Sequence, residues 1–375
     1  MPLFGKHILD LSPTPSHMRH SEGSFIRMQD GRIAFVWSRY REGRHDGDTS
    51  DLAVIFSADE GESWSAPRIL ARCEEWGAVN LMSTSMLTLR EGGIALLYLK
   101  LTPGLQVRPC LRTTKDLLSF STERDACAGR SGYFCVANGR LRRLSTGRLI
   151  YSGGHNEITE KELAQGDHEN ADNIVMHNIS TVRVYLSDDD GESFYEAAAP
   201  VEMPLDVCRE IREQGLTESG IEELEDGTLM LYARNASGRQ YAAYSKDGGI
   251  HWSEPHPSAF TSPTSPMTTL RLSDGRFLAA YNPEPLWPGK PIRTEQGMWT
   301  GGRTAYVTRL CDGQMQPLAA PRVLEQDAHA GFGYGAAIET RDGAILLAYC
   351  AGTDTLGDQN MLCRGRICKI PLCEL

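Results

Sequence analysis

The chain has 375 residues, 41% of them hydrophobic, enough to bury a sizeable core. Its formal charge of −11 disfavours nucleic acid or an anionic membrane surface as a partner, and leaves an anionic small substrate open only where cations gather locally. No apolar run is long enough to span a bilayer, Met1 to Lys6 lacks the features of a secretory signal, and ten irregularly spaced cysteines contain no C-x-x-C pair, so the expected location is cytoplasmic, with free thiols.

Along the chain, Lys6 to Leu11 reads as a strand able to pair with Arg366 to Leu372. Tight turns centred on Gly31, Gly92, Gly147, Gly227, Gly275 and Gly343 follow, most of them Asp-Gly, each flanked by strand-like sequence. Segments such as Ile33 to Trp37, Ile94 to Leu99, Leu229 to Ala233 and Ile345 to Tyr349 read as buried strands. The turns are 48 to 80 residues apart, roughly the period of propeller blades with variable loops.

A second motif repeats one hairpin further on: Ser57, Asp59, Gly61 and Trp64; Ser187, Asp189, Gly191 and Phe194; Ser245, Asp247, Gly249 and Trp252. In this Asp box, Ser and Asp are expected to accept backbone N–H groups two residues on, Gly supplies a positive φ, and the aromatic ring packs back on the hairpin. Weaker copies lie at Thr114 to Phe120 and near Asp312. These signals predict an all-β, six-bladed β-propeller with Asp-box repeats, in one domain covering residues 1–375.

Only Val207 to Leu216 has helical periodicity. The polar stretch from His155 to Asn178, including Asp167 to Asn170, reads as a loop extension over a substrate mouth. Cys363, Cys368 and Cys373 invite a zinc reading, but a spacing of five puts successive residues on opposite strand faces. No metal and no cofactor is expected.

The segment from Glu218 through Asp226-Gly227 to Arg234, leading into the box at Ser245, resembles the sialidases in spacing. The segment from Gly333-Tyr334 to Asp342-Gly343 is similar to the one that carries their tyrosine nucleophile, and Gly301 to Thr308 looks like the one that carries their third arginine. The resemblance implies a carbohydrate substrate, with Tyr334 as nucleophile, Glu218 as its partner, and Arg234 and Arg303 as ligands of the substrate carboxylate. In the first blade the family's arginine belongs at Ser21, so Arg19 takes that role with a two-residue shift. The acid/base aspartate belongs on the loop from Arg44 to Leu52. Asp46 fits by spacing, with Asp48 and Asp51 as alternatives.

These residue types suit one another. A carboxylate nucleophile would meet the sialoside carboxylate as a like charge, whereas a neutral phenol would not. The resemblance thus implies an exo-acting, retaining glycoside hydrolase. Two rivals are a propeller enzyme acting on another sugar or by elimination, and a non-catalytic glycan-binding propeller.

Overall fold

The computed structural model describes residues 4–103, 106–158, 179–211, 215–285 and 292–375. It is all-β, built from antiparallel groups of strands in chain order. The first group is Arg19–Arg27, Ile33–Tyr40, Ser50–Ser57 and Arg68–Ala71. A single parallel bridge, Ser50 to Asn80, joins it to a second group that begins Asn80–Thr88, Ile94–Thr102 and Gln106–Thr114. Another, Tyr133 to Val107, leads to a third group around Leu149–Asn156 and Thr181–Ser187.

Three separate four-stranded sheets follow. One runs from Thr217–Glu223 to His256–Thr261, and the next from Thr268–Arg271 to Arg322–Gln326. The last contains Ala330–Glu339, Ala344–Thr353 and Gly365–Pro371, with Lys6–Leu11 as its outer strand. The chain's two ends therefore pair, in the register Lys6 to Lys369 through Leu11 to Gly365.

Hydrophobic clusters lie between neighbouring groups. Val182, Val184 and Leu186 pack with Ile221, Leu229 and Leu231, while Leu346, Ala348 and Ile367 of the last sheet pack with Phe25, Phe35 and Trp37 of the first. Strands buried on both faces read as continuous apolar runs, which is why Ile345 to Tyr349 stood out in the sequence.

Each expected glycine turn joins two strands, with φ between +80° and +90°. The Asp boxes differ in one detail from expectation: their main hydrogen bonds reach four residues on, not two. Ser57 Oγ accepts from Gly61 N at 2.8 Å, Asp59 Oδ1 accepts from Ser63 N at 2.9 Å, and Trp64 Nε1 closes the loop on the Gly61 carbonyl at 3.2 Å. Among the described residues the α-helix is Leu205–Ile211, starting directly after Pro204 and before the predicted Val207. A proline is tolerated at that boundary because the first helical N–H groups have no partner inside the helix. Residues 159–178, which hold most of the expected loop extension and Asp167 to Asn170, lie outside the described residues.

Candidate functional site

The site grows out of a local distortion. The first strands of four groups carry a bulge, between Ser21 and Ser24, Met82 and Ser85, Thr217 and Gly220, and Gly333 and Ala336. In each bulge one non-glycine residue has positive φ: Glu22 at 57°, Ser83 at 54°, Glu218 at 33° and Tyr334 at 55°. Such conformations cost about 1–3 kcal/mol and collect at functional sites. Glycines at three of these bulges make room: a Cβ on Gly23 would lie 2.2 Å from the Phe35 ring, one on Gly220 2.4 Å from the Tyr232 hydroxyl, and one on Gly335 2.5 Å from the Tyr306 hydroxyl.

All six residues singled out from the sequence, Arg19, Asp46, Glu218, Arg234, Arg303 and Tyr334, line one cavity of about 1040 Å³. The Tyr334 hydroxyl donates to Glu218 Oε1 at 2.9 Å, and Arg234 Nη1 lies 2.5 Å from Glu218 Oε2 and 3.3 Å from the phenol oxygen. The Arg303 guanidinium carbon sits 5.3 Å from the Tyr334 ring centroid and 5.5 Å from that of Trp299. Arg303 also donates to the Thr264 carbonyl at 2.8 Å.

Burial, reinforced by the Glu218 charge, raises the Tyr334 pKa, while Arg234 and Arg303 oppose the shift. Burial works against the charge of both arginines. It prevails at Arg303, whose pKa is lowered; at Arg234 the Glu218 carboxylate and Tyr334 outweigh it and raise the pKa.

Arg19 is almost wholly buried and stacks on Tyr40, with its guanidinium carbon 4.4 Å from the ring centroid. Its Nε donates to Ser21 Oγ at 3.0 Å, Nη1 to the Arg44 carbonyl at 3.1 Å and to Asp46 Oδ1 at 2.5 Å, and Nη2 to Glu22 Oε1 at 3.2 Å. A guanidinium has five N–H groups, so one on Nη2 remains.

The three candidate aspartates separate clearly. Asp46 is 40% exposed at its side chain and lines the cavity. Asp48 Oδ2 accepts the His45 N–H at 2.7 Å and so shapes the loop. Asp51 is fully buried, accepts the Cys73 N–H at 3.0 Å and pairs with Arg41 and Arg72 at 3.4 and 3.3 Å.

Asp51, Cys73 and Glu74 are also close enough to one another to suggest a metal site, but Arg41 and Arg72 already engage the carboxylates. Of the cysteine run, Cys363 and Cys368 are buried and Cys373 is exposed.

Sequence reasoning missed Glu22, which accepts from Arg19 and, at its other oxygen, from the Ser83 hydroxyl. Burial pushes its pKa up to about 7, with Arg19 opposing and the Asp46 charge assisting. An available signal was the pairing of a polar residue with a following glycine, Glu22-Gly23, which matches Tyr334-Gly335.

Comparison with solved structures finds the same fold at low identity. A protein of unknown function from Dyadobacter fermentans aligns with a TM-score of 0.69 and 16% identity over 97% of this chain and 99% of its own. The NanB sialidase of Streptococcus pneumoniae aligns at 0.67 and 12% over 99% of this chain and 71% of its own. The Trypanosoma rangeli sialidase, solved with sialic acid, aligns at 0.64 and 15% over 99% of this chain and 58% of its own. No curated protein sequence matches significantly. Residues 31–347 match the model of the BNR repeat-like domain, and the chain thus belongs to that family.

Proposed function

We propose that this protein is an exo-acting, retaining glycoside hydrolase that removes a terminal acidic sugar, sialic acid or a close relative, from a small glycan. The observation that carries this reading is the 2.9 Å hydrogen bond from the Tyr334 phenol to Glu218, on the wall of a cavity that Arg234 and Arg303 also line. A phenol with a raised pKa is a weak nucleophile unless a base takes its proton during attack, and Glu218 stands at that proton.

In the proposed reaction the Tyr334 oxygen bonds to the anomeric carbon and its proton passes to Glu218. The bond to the leaving oxygen breaks as Asp46 protonates that oxygen. Asp46 then takes a proton from water, the water oxygen attacks the same carbon, and the tyrosine leaves and recovers its proton from Glu218. Arg234, Arg303 and the remaining N–H of Arg19 would hold the substrate carboxylate.

The architecture belongs to the same proposal: a single domain of six blades in a closed ring, supported by the pairing of the chain's ends and by the packing of the last sheet on the first. We also propose a cytoplasmic location; ten free cysteines, one of them exposed, support it, and cell fractionation tests it. Among the described residues no helix is long and apolar enough to cross a membrane.

One observation favours keeping another acidic or neutral sugar in view: Arg19 spends four of its N–H groups on protein acceptors. The test is release of a fluorogenic phenol from a sialoside, a hexuronide and neutral glycosides. The sialoside is expected to be cleaved, with kcat/KM falling at least about a thousandfold in Tyr334→Phe. An unchanged rate in that variant would remove the phenol from the mechanism, and a preference for a neutral sugar would overturn the acidic substrate.

A further inference from the structure

Asp46 and Glu22 come from different stretches of chain and meet on opposite sides of one guanidinium. Arg19 Nη1 donates to Asp46 at 2.5 Å and Nη2 to Glu22 at 3.2 Å. The Glu22 side chain is only 8% exposed, held from behind by the Ser83 hydroxyl, whereas that of Asp46 is 40% exposed to the cavity. Glu22 occupies the same bulge position in its strand as Glu218 and Tyr334 do in theirs, and pays the same backbone strain to be there.

We propose that Glu22 is a positioning residue for Asp46, acting through the Arg19 guanidinium that both carboxyl groups share. The inference rests on the reading of Asp46 as the acid/base group. One cation serves two carboxyl groups, so a change in the charge of the inner one alters how strongly the outer one is held. With Glu22 ionised, Arg19 is divided between them. With Glu22 neutral, Arg19 belongs to Asp46 alone and holds its carboxyl group more tightly, away from the leaving oxygen.

The groups around Glu22 are accounted for. Arg19 lies on its own strand, Ser83 on the neighbouring group, and the phenol of Tyr40 stacks on Arg19. Asp46, Glu218, Tyr334, Cys135 and Cys350 share its electrostatic surroundings.

The test uses the full chain with ¹³C-labelled aspartate carboxyl groups, the Asp46 resonance being assigned by its loss in Asp46→Asn. In the parent the Asp46 resonance is expected to show a second inflection near neutral pH that reports Glu22; Glu22→Gln abolishes it. Ser83→Ala, which keeps both carboxyl groups, should displace that inflection to higher pH because the Glu22 anion loses a donor. In turnover, Glu22→Gln is expected to lose about tenfold more kcat on a glycan leaving group than on an activated phenol, with KM little affected.

An Asp46 resonance without the second inflection, or one indifferent to both substitutions, overturns the coupling even if the protein turns over sialosides. The inflection and its response to both variants support the coupling even if no sialoside is cleaved, in which case only the hydrolase reading fails.

Discussion

Asp46 and Asp51 lie on the same short stretch of chain, and their surroundings give them opposite work. Asp51 is fully buried and answers two arginines and a backbone N–H, so Asp51→Asn should cost about 2 kcal/mol, read as a lowered melting temperature. Asp46→Asn should shift the melt by less than about 1 kcal/mol while removing turnover on glycan leaving groups. His20 offers a pH test of the core. It is buried and takes a hydrogen bond from Trp37 Nε1 at 3.0 Å, and burial lowers its pKa to about 3. Because the unfolded chain binds a proton that the native histidine refuses, this contribution to stability is present above the unfolded pKa near 6.5 and is lost as pH falls from there towards 3. His20→Gln is therefore expected to be less stable at pH 7 and to show a shallower fall in stability over that window, measured by urea melts. The hairpin at Asp226-Gly227 and the box at Ser245 were legible in the sequence as local patterns, and Glu218 and Arg234 were named beside them through the resemblance. Glu22 carried only the weak signal of its following glycine, because the bulge between Ser21 and Ser24, which turns its side chain, depends on the partner strand.

At the scale of the element, the turns were readable because their chemistry is local: a positive-φ glycine and a side chain that accepts nearby N–H groups need no distant partner. Asp189 shows how much one such turn holds, accepting from Ser193 N at 2.9 Å and from Ser187 Oγ at 2.8 Å. Asp189→Ala should cost about 1–2 kcal/mol without altering activity at temperatures where the protein stays folded. The bulged strands depend instead on what packs behind them, which is why the sequence named Tyr334 through a resemblance and not through its geometry. Gly335 tests that dependence. A methyl group there would lie 2.5 Å from the Tyr306 hydroxyl and 2.9 Å from Thr268 Oγ1, forcing the bulge to move. Gly335→Ala should cost about 1–3 kcal/mol and lower kcat more than melting temperature alone explains, because the phenol would leave its place opposite Glu218. A variant with parental kcat would mean that the bulge does not set the position of the phenol.

For the whole molecule, the decisive contact joins residues far apart in sequence. Lys6–Leu11 covers the edge of Gly365–Pro371, Arg366 holds Asp10 through two bonds of 2.7 and 3.1 Å, and Phe4 sits in the cluster with Tyr349 and Ile370. Removing residues 1–11 would bare the backbone groups of Gly365–Pro371 and leave Phe4's neighbours facing water. An uncovered strand edge pairs readily with another chain. The bonds from His20 N to the Cys363 carbonyl at 3.0 Å and from Arg364 Nη1 to Ser12 Oγ at 2.5 Å lie just beyond the deletion and would remain to hold the strand carrying Arg19 to the last group. The truncated chain is expected to melt at least about 10 °C lower and to aggregate with increasing concentration, as read by calorimetry and light scattering. A peptide covering residues 1–12 should recover part of the loss, since it can restore the strand pairs but must be ordered from solution to do so. If truncation left both melting temperature and solubility as they were, the paired ends would be an ornament of the fold, and the closed ring proposed for it would have to be held by side-chain packing between sheets alone.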